Sequence, residues 1–238
     1  TSTKSPGLRR YVAQPVHYAE RYGNFTLTLR DYEILNLIRG YRYLEARHIR
    51  ALIAGSDQQI TRRLQGLFHN KYVGRYVPRQ RMRLDLDPGP LVVAYGLERK
   101  GARALGQSPD LLPRENETTS APVNWRKDHT RRTEWFLEHH LMVSDFHCVL
   151  ELALRHAGNA ELQSWRQTND IWFQVKPSGA RSKIRVAPDA HFVLRSQNLV
   201  RHFFLEADRS TEEHRKIRRK IAGYWWYLQS GDFARHHP

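Results

Sequence analysis

The chain has 238 residues, with 39 Lys and Arg against 24 Asp and Glu, so its net charge is +15 and its isoelectric point is near 10.3. A hydrophobic content of 40%, with six Trp, allows a folded core in one or two domains. There is no apolar run of roughly 18 residues to span a membrane and no apolar signal segment. The single cysteine, Cys148, excludes an internal disulfide and a multi-cysteine zinc site. We therefore expect a cytoplasmic protein, without membrane association, that binds a polyanion.

Most of the excess charge lies in the first 100 residues, which hold 18 Lys and Arg against 8 Asp and Glu, a net charge of +10. Seven basic residues and no acid fall between residues 58 and 84, where we expect the polyanion to bind. Residues 1–26 are interpreted as an N-terminal arm and residues 27–105 as a first domain. Residues 106–127 are rich in turn formers and lack periodicity, which is typical of a linker.

Three predicted elements open the first domain. Apolar residues at helical spacing predict a short helix over residues 29–39 and a second helix over residues 45–54. Residues 41–44 between them favour a short strand. This order is typical of the start of a winged helix-turn-helix domain.

A third predicted helix carries the main signal for DNA binding. It begins after Ser56, which suits an N-cap because Gln59 follows three residues later, and it runs to about residue 70. Its apolar residues share one face, and the opposite face is polar. Gln pairs with adenine and Arg with guanine in the major groove, so this is the expected recognition helix. The expected DNA contacts on it are Gln58, Arg62, Arg63, Gln65 and His69.

A basic β-hairpin is predicted after this helix. Strand-like runs over residues 72–77 and 91–97 flank a segment with three arginines. Such a hairpin would lie against phosphates or in a minor groove, as a wing does. In the alternative interpretation, helix and hairpin are only a solvated surface. The residues expected to contact DNA here are Arg75, Arg79, Arg81 and Arg83.

The second domain, residues 128–238, is predicted to begin with one long helix over residues 128–156. His139 lies in its apolar stripe and is interpreted as a hydrogen-bonded core histidine. The spacing along one flank of the helix is too loose for a metal site, so that flank is interpreted as exposed. Its members are His140, His147 and Glu151.

Strands and a last helix are predicted for the rest of this domain. Residues 196–198 suit a hairpin turn between the last two strands. The helix, over residues 211–228, carries Lys216, Lys220 and Tyr224 at intervals of four, and a lysine there could lie over neighbouring acids. The predicted strands cover residues 162–167, 171–176, 183–195 and 199–207.

The hairpin turn brings three carboxylates together. Asp189 falls almost opposite Leu205, beside Glu206, and Asp208 shares a face with Glu206 because it lies two residues further along. Carboxylates grouped in this way repel one another unless a cation neutralises them, and Mg²⁺ or Mn²⁺ prefers oxygen ligands. We expect a metal site formed by Asp189, Glu206 and Asp208. The alternative is a polar strand end beside a solvated helix stripe.

The order of helix, strand, strand with Pro188-Asp189, strand with Glu206 and helix resembles the core of PD-(D/E)xK nucleases. More specifically, residues 27–229 resemble the replication-relaxation family of plasmid and integrative-element proteins, which is related to MobC-type mobilisation relaxases. The motifs that carry the resemblance are Leu29-Arg-Asp-Tyr-Glu-Ile-Leu, Ala94-Tyr-Gly-Leu-Glu-Arg-Lys-Gly-Ala-Arg-Ala-Leu105, His140-Leu-Met-Val-Ser-Asp145, Pro188-Asp-Ala190 and Phe203-Phe-Leu-Glu-Ala-Asp-Arg-Ser-Thr-Glu212.

The resemblance implies an α+β chain, with a winged helix joined to a restriction-endonuclease-like domain that has a mixed sheet. It implies binding of double-stranded DNA and Mg²⁺- or Mn²⁺-dependent nicking, with a homodimer and other mobilisation or replication proteins as further partners. Asp189 and Glu206 would bind the metal, with Asp208 beside them, and Lys220 would be the catalytic lysine. Tyr224 is a weaker candidate for a covalent nucleophile, and core packing suits it better.

Two departures from the nuclease pattern are visible in the sequence. Where the motif has a lysine two residues after the acid, this chain has Asp208. The fold continues with another strand after the last helix, so we expect an incomplete sheet or a fragment. The first departure favours a second hypothesis, in which the protein is a transcription regulator or accessory DNA binder. Its nuclease-like domain would then be an inactive scaffold or dimerisation surface.

Overall fold

A computed structural model describes residues 25–76, 93–108, 134–167, 171–179, 181–208 and 214–236. The chain divides into two compact units, Thr1–Gly158 and Asn159–Pro238, and contains both helices and antiparallel sheets. The expected α+β composition is therefore confirmed. Within the described ranges, no helix is long and apolar enough to cross a membrane. Residues 1–24 of the predicted arm and residues 109–127 of the predicted linker lie outside the described residues.

The described part of the first unit is a set of helices around a three-stranded antiparallel sheet, in the strand order β1-β3-β2. The helices and strands predicted between residues 29 and 97 are observed, with ends shifted by a few residues. Their bounds are α1 (Leu29–Tyr41), β1 (Tyr43–Glu45), α2 (Ala46–Leu52), α3 (Asp57–His69), β2 (Val73–Tyr76), β3 (Ala94–Leu97), α4 (Arg99–Gln107) and α5 (Glu134–Ala157).

The orientation of α3 is fixed at its first residue and along its apolar face. Ser56 Oγ accepts a hydrogen bond from the Gln59 backbone N–H at 3.3 Å, which confirms the predicted N-cap. Ile60, Leu64 and Leu67 are fully buried, in one core with apolar residues of α1, β3 and α4. Because this face is buried, the opposite face of α3 remains at the surface.

The long helix α5 belongs to the first unit, although the sequence indicated that it begins the second domain. Ser144 Oγ donates to the Tyr43 carbonyl at 2.8 Å, and Arg155 Nη1 donates to the Leu52 carbonyl at 3.1 Å. Cys148 is buried in the core of this unit. The face of α5 that packs on β1 and α2 carries Leu137, Leu141 and Ser144. Phe146 and Val149, which belong to the apolar stripe, are exposed.

One flank of α5 was interpreted as exposed, and this is wrong for His147. His147 is 5% exposed, and its ring stacks on Tyr41 with the ring centres 4.1 Å apart. Burial lowers its pKa from the usual value of a histidine. His140 lies 3.1 Å from the Arg42 guanidinium, and Glu151 lies 3.2 Å from His147. The stacking of His147 on Tyr41 and the contact of His140 with Arg42 therefore help to fasten α5 to the end of α1.

The second unit contains the sheet β4-β7-β8 and the separate hairpin β5-β6. All strand pairs among the described residues are antiparallel, so the expected mixed sheet is wrong for these strands. The strand predicted over residues 183–195 is divided in two, because Pro188 lacks a backbone N–H to donate. The element bounds are β4 (Glu161–Gln167), β5 (Phe173–Val175), β6 (Ile184–Val186), β7 (Ala190–Ser196), β8 (Leu199–Leu205), α6 (His214–Gln229) and α7 (Asp232–His236).

Candidate functional site

Glu206 lies just after β8 and is bound by two side chains of α6. Lys220 Nζ donates to Glu206 Oε2 at 2.8 Å, and the Tyr224 hydroxyl donates to Glu206 Oε1 at 2.6 Å. Lys220 and Tyr224 are four residues apart and therefore share one face of the helix. The structure thus brings together three of the residues that the sequence indicated, and each oxygen of Glu206 has a donor.

Asp189 ties the start of β7 to the end of β8. Its backbone N–H donates to the Leu205 carbonyl at 2.9 Å, and its Oδ2 accepts from the Ala207 N–H at 2.7 Å. The strands are joined by the predicted turn, in which Ser196 pairs with Leu199. Ala190 pairs with Leu205, so Asp189 stands next to Glu206 in the ladder, one residue from its expected position.

A glycine allows α6 to lie close enough for these contacts. A Cβ atom added at Gly223 would lie 2.3 Å from Val186 Cγ2, which is closer than any real contact. Further along the same side of the helix, the Tyr227 ring stacks on Phe173 with the centroids 3.8 Å apart. Helix α6 therefore packs closely against the hairpin β5-β6. This packing fixes Lys220 and Tyr224 beside Glu206.

The phenol of Tyr224 is held in its neutral form. Burial, the hydrogen bond to Glu206 and the negative charges of Glu206 and Asp189 together raise the pKa of Tyr224 well above its usual value. The neutral phenol is the form that donates to Glu206. A covalent nucleophile needs a lowered pKa or an adjacent base to form its anion. The environment of Tyr224 has the opposite effect and favours the packing role.

The side chains of this site do not fit a divalent metal in the arrangement observed. Lys220 supplies the positive charge that was expected from a metal cation, and its ammonium group forms an ion pair with one oxygen of Glu206. Asp208 is exposed and makes no hydrogen bond or ion pair with any described residue. Within the described part of the chain, no group of three or more His, Cys, Asp or Glu side chains could hold a metal ion.

The polar face of α3 is a second candidate site, in the first unit. Gln58, Arg62 and Gln65 are exposed, opposite the buried apolar face. His69, at the end of the helix, is half-buried, and its pKa is lowered by burial and by the charge of Arg75. The exposed residues follow one another at intervals of four and three, so they form one row along the helix.

Arg63, which the sequence assigned to the same DNA-binding set, is used inside the unit. Its Nε donates to Asp31 Oδ1 at 2.8 Å, and its Nη2 donates to Asp31 Oδ2 and to the Thr26 carbonyl. Asp31 is fully buried and also accepts from the Thr28 N–H at the start of α1. The guanidinium lies 4.6 Å from the ring centre of Phe25. Arg63 therefore neutralises a buried carboxylate.

The arginines of the hairpin are only partly described. The Arg75 guanidinium on β2 lies 4.3 Å from the ring centre of Phe68, and Arg75 pairs with Tyr95 in the sheet. Arg79, Arg81 and Arg83 lie in residues 77–92, outside the described residues and between β2 and β3 in the chain.

Comparisons with known proteins identify the family of the chain. A search of curated proteins and a search of solved structures each found no match. The model of the family described as Replication-relaxation matches residues 35–238. Because this match covers most of the chain, the protein belongs to the replication-relaxation family.

Proposed function

We propose that this protein binds double-stranded DNA in the replication or mobilisation of a plasmid or integrative element, and that α3 is its recognition helix. Membership of the replication-relaxation family supports the biological setting. The net charge of +10 in the first 100 residues supports a polyanionic partner.

The exposed row on α3 is the observation that carries this proposal. Gln58, Arg62 and Gln65 extend over about 10 Å of helix, since each residue adds about 1.5 Å. Gln and Arg are the side chains that make bidentate hydrogen bonds with base edges in the major groove. The buried face of the same helix holds it rigidly on the core, as base readout requires.

The surrounding elements support a winged-helix arrangement. The helices α1, α2 and α3 precede the antiparallel pair β2 and β3, and β1 completes the sheet on the other side of β3. Residues 77–92 join β2 to β3 and include Arg79, Arg81 and Arg83. In this proposal those three arginines bind phosphates, while α3 reads bases.

Binding of the full-length protein to duplex DNA tests the proposal. A random duplex library would be selected for binding, and the selected and scrambled duplexes compared by fluorescence anisotropy at several salt concentrations. We expect tighter binding of the selected duplex and a linear fall of log affinity with log salt. Equal, salt-independent affinities for both duplexes would contradict the proposal.

A second candidate function is DNA nicking by the second unit, and one observation favours it. Asp189, Glu206 and Lys220, the acids and the lysine expected of a nuclease-like site, lie together at the ends of β7 and β8. Supercoiled DNA carrying the selected site would be incubated with the protein and Mg²⁺ or Mn²⁺. A nicked product that Glu206→Gln abolishes supports nicking. Bound but intact supercoiled DNA supports an accessory role, with the second unit as a scaffold or homodimer surface.

A further inference from the structure

The first half of α6 carries a dense row of positive charge. The helix contains five Lys and Arg residues and no acid. Lys220 is paired with Glu206, whereas the other four are exposed. Glu212 and Glu213 precede the helix and lie outside the described residues. The exposed basic residues are Arg215, Lys216, Arg218 and Arg219.

Large apolar side chains continue this surface toward the end of the helix. Ile221 is 62% exposed and Trp225 is 58% exposed. They follow Arg218 at intervals of three and four residues, so the three side chains lie on the same face of α6. The opposite face is the one that packs on the hairpin β5-β6, where Gly223 and Tyr227 are buried. The outer face of α6 therefore presents arginines and an indole to solvent.

We propose that the outer face of α6, comprising Arg215, Arg218, Arg219, Ile221 and Trp225, binds a single-stranded segment of DNA. Arginines at one end would bind successive phosphates, and the indole of Trp225 would stack on an unpaired base. In a duplex the faces of the bases are already stacked on one another, so the exposed indole gains little from duplex DNA. This surface lies on the second unit and uses none of the residues of α3.

The charges of this face favour DNA over a protein partner. Protein–protein interfaces are depleted of Lys, although Arg and Trp are common in them. The distinguishing feature of α6 is its charge: four of its Lys and Arg residues are exposed, the helix contains no acid, and Arg218 and Arg219 lie within one turn of the exposed Ile221. Bringing this row of cations against an apolar protein surface would desolvate them without compensation, whereas phosphates provide the compensating charge.

Fluorescence anisotropy of the full-length protein with a labelled single strand and with the matching duplex tests this proposal. We expect Trp225→Ala to weaken single-strand binding by about tenfold and to leave duplex affinity unchanged. Trp225→Phe keeps a stacking face and should retain most of the affinity. The double substitution Arg218→Gln with Arg219→Gln removes two phosphate contacts, so the salt slope of single-strand binding should shrink by about 1.4.

Arg201→Gln is the matched control. Arg201 is also exposed and in the second unit, but it lies on the face of β8 opposite Phe204, which packs on Tyr224 of α6. The proposal is overturned if Arg201→Gln weakens single-strand binding as much as the α6 variants do, or if the α6 variants leave it unchanged. A protein-docking face is indicated instead if Trp225→Ala abolishes only self-association in sedimentation. If Arg62→Ala weakens duplex binding and leaves single-strand binding unchanged, the result concerns only the function proposed for α3.

Discussion

Lys220 Nζ lies 2.8 Å from Glu206 Oε2, so the acid at the end of β8 is neutralised by a lysine of the same unit. The side chains of Lys220 and Glu206 are 32% and 26% exposed, so the pair is partly shielded from solvent. An ion pair in this position does what a bound cation would otherwise do, which is to offset the repulsion between Glu206 and Asp189. The site is thus stable as a set of protein side chains.

A double-mutant cycle measures this pair. Lys220→Met and Glu206→Gln should each destabilise the protein, and the double variant should lose less than their sum, with a coupling free energy of about 1 kcal/mol. Urea unfolding would provide the values. Lys216 lies one turn earlier on α6 and is exposed. The same cycle with Lys216→Met should therefore show no coupling between Lys216 and Glu206. Equal coupling free energies for the two lysines would mean that Glu206 responds only to long-range charge and not to an ion pair with Lys220.

Tyr224→Phe tests the neutral phenol. Losing a hydrogen bond to a charged group should cost about 1.5 to 3 kcal/mol near neutral pH, while the ring keeps its contact with Phe204. Folding raises the pKa of Tyr224, so its hydroxyl stabilises the folded state fully at a pH below the pKa of the unfolded chain, which is about 10. This contribution to stability is lost as the pH rises further. The stability difference between wild type and variant should therefore shrink above about pH 10, as measured by urea unfolding at alkaline pH. A difference that stays constant would show that the phenol titrates normally.

The sequence predicted much of the backbone and less of the side-chain partnerships. The Ser56 N-cap and the apolar face of α3 followed from local spacing, and the turn after Ser196 placed Asp189 near Glu206. Local spacing could not show that Arg63, and not its neighbour Arg62, pairs with Asp31, because that contact joins residues 32 apart in the chain. It also could not assign α5 to the first unit, because an apolar stripe carries no information on its partner.

Gly223→Ala tests the close approach of α6 to β6. Helix propensity alone would make alanine more stable by about 1 kcal/mol. The added Cβ would lie 2.3 Å from Val186 Cγ2, and Val186 is fully buried, so we expect a net loss of about 1 to 3 kcal/mol from overpacking. Thermal unfolding would measure this loss. Adding Val186→Ala makes room for the methyl group, so the effect of Gly223→Ala should be smaller in that background. Gly106→Ala, on α4, has open space and should not destabilise the protein.

Arg63→Ala should destabilise the first unit strongly. It leaves the fully buried Asp31 without its guanidinium partner, at a cost of about 3 kcal/mol. Arg62, the next residue, is exposed, so Arg62→Ala should change the free energy of unfolding by less than about 0.5 kcal/mol. Chemical unfolding would measure the free energy of unfolding of both variants and so compare a buried-partner arginine with its exposed neighbour. Equal stability losses would contradict the structural role of Arg63.

Arg62→Ala should instead change the choice of DNA sequence. Losing a bidentate contact with a base costs about 1 to 3 kcal/mol of discrimination, so the selected duplex should lose affinity while a scrambled duplex is nearly unaffected. Competition binding at one salt concentration would measure the ratio. Arg103 on α4 is also an exposed arginine of the first unit, and Arg103→Ala should leave the ratio unchanged. If Arg62→Ala weakened both duplexes equally, Arg62 would contact phosphate, and the base-reading role of α3 would depend on Gln58 and Gln65 alone.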